Sequence, residues 1–92
     1  MSTKDKLIER LLSQPKDFKY AEVVRIFKIF GFTEYSKGST SGSRVQFYRN
    51  DNQSYIMHKP HPSTIIKEKA LEQLVKYIRE QKLIEEYQKE RR

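Results

Sequence analysis

Apolar side chains recur at helical spacing in two stretches near the start of the chain. Leu7, Ile8, Leu11 and Leu12 fall on one stripe and predict a short helix over residues 4–13, which Ser2 or Thr3 can cap and Pro15 ends. Tyr20, Val23, Val24, Phe27 and Phe30 follow the i, i+3, i+4, i+7 pattern, and Ile26 and Ile29 widen that stripe, so a second, deeply buried helix is expected over 20–30. Gly31 suits the left-handed residue that closes a helix, with Phe32 placed to fold back on it.

The spacing then shortens to two. Residues 33–37 suit a first short strand, and a small polar loop follows at 38–42. Over 43–49, Val45 and Phe47 alternate with Arg44, Gln46 and Tyr48, which predicts a half-buried strand with a polar, partly basic outer face. Asn50-Asp51-Asn52 has hairpin-turn chemistry, because Asn and Asp tolerate positive φ. A third strand is expected over 53–58, but three consecutive apolar residues, Tyr55, Ile56 and Met57, leave its inward face open. Pro60 and Pro62 forbid regular structure, and Ser63 or Thr64 is expected to cap a last helix with Leu71, Leu74, Val75 and Ile78 as its stripe. Residues 85–92 form a charged tail, either a helix extension or coil. The order α-α-β-β-β-α predicts an α+β fold, a three-stranded antiparallel sheet with helices packed on one face.

With 92 residues the chain suits one domain, of core about 16–83, and modest stability. There is no cysteine, hence no disulfide framework or thiolate metal site, and neither a leader-like apolar stretch nor a membrane span is seen; a cytoplasmic setting is expected.

Charge sharpens the picture. The net charge is +7, and it is unevenly spread. Residues 35–67 carry Lys37, Arg44, Arg49, Lys59 and Lys67 against Asp51 alone, with His58 and His61 in the same block. A stretch this short of carboxylates favours a polyanionic partner such as nucleic acid.

Two segments can carry chemistry. In Ser36-Lys37-Gly38-Ser39-Thr40-Ser41-Gly42-Ser43-Arg44, small residues admit a close backbone approach, and the hydroxyls of Ser39 and Ser43 with the cations of Lys37 and Arg44 suit phosphate oxygens. The segment is not a P-loop, which needs Lys-Ser or Lys-Thr after the second glycine. In His58-Lys59-Pro60-His61-Pro62, histidine can take or give a proton while Lys59 offers charge, as cleavage through a ribose 2′-hydroxyl requires. Lys67 and Lys69 stand where the last helix begins, and phosphate is the ligand that would favour cations there. Two histidines three apart with Asp51 as the block's only acid make a weak metal set, so no metal or cofactor is expected. Each segment also has a plainer reading, as a flexible hairpin loop, packed histidines and solvated lysines.

Asp17-Phe18, Gly31-Phe32, Lys37-Gly38-Ser39, Gly42-Ser43-Arg44-Val45 and His58-Lys59-Pro60-His61-Pro62, in that order, resemble the HicA family over roughly residues 16–83. The resemblance implies a fold similar to the double-stranded RNA-binding domain, preceded here by an extra N-terminal helix. It also implies a toxin that cleaves or blocks messenger RNA and a HicB-like antitoxin protein as partner. The family's usual catalytic motif is Gly-Ser-His at the start of the second strand. Here the matching residues are Gly42-Ser43-Arg44. Arginine binds phosphate bidentately but stays protonated and cannot serve as a base. The expected catalytic pair is therefore His58 as base with Arg44 on the phosphate, giving a metal-independent endoribonuclease. Lys37, Ser39, Ser43, Arg44, Lys59, His61, Lys67 and Lys69 are the expected RNA contacts. The alternatives are an RNA binder that does not cut and a basic module that meets an acidic protein.

Overall fold

The computed structural model describes residues 3–36, 44–60 and 64–90. Helices α1 (Thr3–Leu12) and α2 (Tyr20–Ile29) precede strands β1 (Thr33–Ser36), β2 (Arg44–Asn50) and β3 (Gln53–His58). Helices α3 (Glu68–Glu80) and α4 (Leu83–Glu90) follow. The strands form one antiparallel sheet in the order β1-β2-β3. The fold is thus α+β, in the order read from the sequence, with the charged tail helical as α4.

The two early helices are tied by charge as well as by packing. Arg10 of α1 donates from Nε to Glu22 Oε2 at 2.7 Å and from Nη2 to Asp17 Oδ1 at 3.1 Å. Glu22 also accepts the Lys19 backbone N–H at 2.9 Å, which satisfies one of the free donors at the start of α2. That helix closes as expected: the Gly31 N–H donates to the Lys28 carbonyl at 3.0 Å and the Phe32 N–H to the Phe27 carbonyl at 2.8 Å, with Gly31 at φ +87°. This paired closure is a Schellman motif, and the Phe27 and Phe32 rings meet edge-on at 5.0 Å across it.

The core lies between the sheet and the helices. Val45 and Phe47 point inward from β2, and Phe47 stacks on Phe27 of α2 at 4.2 Å. Tyr55 and Met57 supply the inward side of β3, so Ile56 faces out. From α3 come Leu71, Leu74, Val75 and Ile78, from α1 Ile8 and Leu11, and from α4 Leu83. The β2–β3 register shifts between Tyr48 and Asn50, which leaves Arg49 as the extra residue. Arg49 follows Val45 and Phe47 onto the helical side of β2, where its Nη2 donates to Glu86 of α4.

Three expectations are corrected. The last helix begins at Glu68 behind Lys67 and is not capped by Thr64; Ser63 lies outside the described residues. Thr64–Ile66 is instead extended: the Thr64 carbonyl accepts the Tyr20 N–H at 2.8 Å, and the Ile66 N–H donates to the Phe18 carbonyl at 2.8 Å. Satisfying a free amide at the start of α2 while burying Ile66 outweighs one side-chain cap. In the β2–β3 turn, neither Asp51 nor Asn52 takes a positive φ. Asn50 closes that turn by accepting the Asn52 N–H on its side-chain oxygen at 2.9 Å. Third, residues 83–90 form a separate helix and do not prolong α3, because Lys82 breaks the run at φ +55°.

Candidate nucleic-acid interface

Helices cover one face of the sheet. On the other face stand Thr33 and Tyr35 from β1, Arg44, Gln46 and Tyr48 from β2, and Ser54, Ile56 and His58 from β3. The antiparallel register pairs Arg44 directly with His58. Two residues that the sequence separates by fourteen positions are therefore neighbours on one exposed rung, with side chains that rigid strands position.

β3 ends at His58, and the next residue is Lys59, whose Nζ sits 5.4 Å above the ring of Tyr20. Tyr20 in turn donates its hydroxyl to Glu34, and burial, reinforced by that carboxylate, pushes the phenol well above its ordinary range. The ring thus stays neutral and offers an electron-rich face to the ammonium. A groove of about 370 Å³ runs along the free edge of β3 to the start of α3. His58, Lys59, Lys67 and Gln73 line it above a floor that includes Met57 and Ile66. No carboxylate is among its lining residues.

The structure thus gathers Arg44, His58, Lys59 and Lys67 around one corner of the sheet. Lys69 is exposed on the first turn of α3 and does not line the groove. Lys37, Ser39, Ser43 and His61 lie outside the described residues. Among the described residues, no cluster of three or more His, Asp or Glu side chains is placed to hold a metal ion. This corner can hold a phosphodiester between cations and place a histidine ring against it.

Reading along the chain missed two other surfaces. Tyr35 and Ile56 stand out from the open sheet face, and neither looked distinctive in sequence. A second groove, of about 630 Å³, separates α1 from α2, with Lys4, Lys6, Arg25 and Lys28 around Leu7 and Ile29. Counting charge by block hid it, because carboxylates on other faces of the same helices cancel those cations.

An α+β sheet with helices on one face and a cationic corner on the other defines a small basic protein laid out like the double-stranded RNA-binding domain. A family model described as the HicA toxin of bacterial toxin-antitoxin systems matches residues 20–80, more than half of the chain, and the chain belongs to that family. Helix α1 precedes the matched stretch and α4 follows it. No curated protein and no solved structure matches the chain. Among the described residues, no helix is long and apolar enough to cross a membrane.

Proposed function

We propose that this toxin acts in the cytoplasm on messenger RNA, binding it at the Arg44–His58 corner and cutting it without a metal ion. The reading rests on one observation, the direct pairing of Arg44 with His58 on an exposed rung. His58 is the base that removes the proton of a ribose 2′-hydroxyl. The oxygen then attacks the adjacent phosphorus, the bond to the 5′-oxygen of the next nucleotide breaks, that oxygen leaves as a hydroxyl with a proton from solvent, and a 2′,3′-cyclic phosphate remains. Arg44 holds the phosphoryl oxygens as negative charge grows on them. Lys59 and Lys67 bind flanking phosphates, and Lys37, Ser39, Ser43, His61 and Lys69 extend the contact. A HicB-like antitoxin, acidic where it meets this corner, blocks it.

The combined variant Arg44→Ala, Lys59→Ala, Lys67→Ala tests the binding site. Removing up to three phosphate contacts should weaken RNA binding and flatten its dependence on salt, since fewer counterions are released. An unchanged salt slope would refute the assignment. In cells, expression of the wild type should arrest growth, and co-expression of the antitoxin should restore it. Arginine at the position of the family's usual histidine favours a second reading, in which the protein blocks translation by occupancy. Growth arrest with intact RNA would establish that alternative.

A further inference from the structure

The outer face of the sheet carries more than its cationic corner. The register aligns Tyr35, Gln46 and Ile56 as one rung, next to the rung of Arg44 and His58. Tyr35 is 51% exposed and Ile56 56% exposed, an unusual pair for a sheet of three short strands. Tyr35 is also braced. The ring of Tyr48 meets it at 6.1 Å and 70°, and Tyr48 is itself anchored by donating its hydroxyl to Asp51 at 3.1 Å. None of the residues that β1, β2 and β3 turn outward is a carboxylate among those described, since Glu34 alternates to the other side and is held there by Tyr20.

We propose that this face is a stacking platform for single-stranded RNA, with one unpaired base on Tyr35 against the wall of Ile56. The inference rests on the RNA-cleaving reading above and names its substrate class. The two rungs are two residues apart along β2, about 7 Å at strand rise. A nucleotide whose base lies on Tyr35 can therefore hand its phosphate to Arg44 and His58. The Gln46 amide, between the two apolar side chains, can donate to or accept from the base edge. A duplex cannot use this surface, because its base faces are stacked on one another and only backbone and groove edges reach a protein. An exposed, braced aromatic on a sheet face whose outward strand residues include no carboxylate is what unpaired bases need.

The test compares a fluorescein-labelled unstructured 12-nucleotide RNA with a 12-base-pair RNA duplex by anisotropy, over a series of salt concentrations. The wild type should prefer the single strand. Tyr35→Ala should weaken the single strand about tenfold, leave the duplex alone and leave the salt slope unchanged, because a stack releases no counterions. Tyr35→Phe should bind as the wild type does. Arg44→Ala should instead lower the salt slope. Both Tyr35 variants alter an exposed side chain, and an unchanged melting curve would establish that they fold. If Tyr35→Ala binds the single strand normally while Arg44→Ala does not, the platform is wrong and the cationic site stands. If neither variant weakens binding, both readings fail. If Tyr35→Ala and Ile56→Ser retain RNA affinity but abolish rescue by the antitoxin, the face belongs to a protein partner and the proposal is overturned.

Discussion

At the scale of single residues, the proposed chemistry depends on two side chains with different duties. His58→Ala should remove cleavage, a loss on the order of 10²- to 10⁴-fold in rate for a missing base, and leave RNA affinity nearly intact. Arg44→Ala should lower both. Arg44→His restores the histidine usual in the family at that position and should keep or raise activity if the geometry survives. The assay is cleavage of labelled RNA in the presence of a chelator, read for a 2′,3′-cyclic phosphate end; cleavage by His58→Ala at the wild-type rate would remove His58 from the mechanism. The sequence made each of these residues visible, but not their partnership. Arg44 and His58 become neighbours only through the register, which the Asn50 turn and the bulge at Arg49 set together. Alternation alone could not orient β3 either, since three apolar residues in a row fit either face. The choice falls to packing, because Tyr55 meets Phe27 at 5.8 Å and Tyr77 at 4.8 Å.

At the scale of elements, strong periodicity was a good guide and local capping chemistry a mixed one. The closure of α2 at Gly31 was legible because few residues other than glycine accept that conformation. The start of α3 was not legible, because Thr64 is drawn into pairing with Tyr20, a contact far away in sequence. Nor was the break before α4, where a lysine takes the left-handed position that glycine usually fills. These two ends predict opposite responses. Gly31→Ala forces a side chain into positive φ and should destabilise the fold by about 1–2 kcal/mol. Lys82→Gly relieves the same strain and should stabilise it by up to about 1 kcal/mol, offset in part by the entropy that glycine adds to the unfolded chain. Urea denaturation of both variants measures the pair; a stabilised Gly31→Ala would refute the account of the cap.

At the scale of the whole molecule, charge and aromatic packing divide the work. Cations gather on the sheet corner and on the α1–α2 groove, while the interior is held by rings and aliphatic chains, without disulfides; at its edge the Arg49 guanidinium pairs with Glu86 through Nη2 and buries Nη1 without a partner. Partly buried phenols pack around that interior. Burial raises the pKa of Tyr20, Tyr55 and Tyr77 alike, and the buried Tyr77 hydroxyl finds no hydrogen-bond partner. In an unfolded chain these phenols ionise near pH 10; in the folded protein they resist. Their contribution to stability is therefore complete below about pH 10 and drains away as pH rises through the higher folded values. The protein should thus lose stability in alkali, and melting curves from pH 8 to 12 should fall steeply in the upper half of that range. Tyr77→Phe removes a phenol that nothing inside the protein satisfies, so it should cost no stability at pH 7 and should blunt the alkaline fall. An undiminished fall in that variant would assign the effect to Tyr20 and Tyr55. Six tyrosines and no tryptophan make this unfolding directly observable, because the phenolate absorbs where the phenol does not, and the summed absorbance follows the release of the half-buried rings into base.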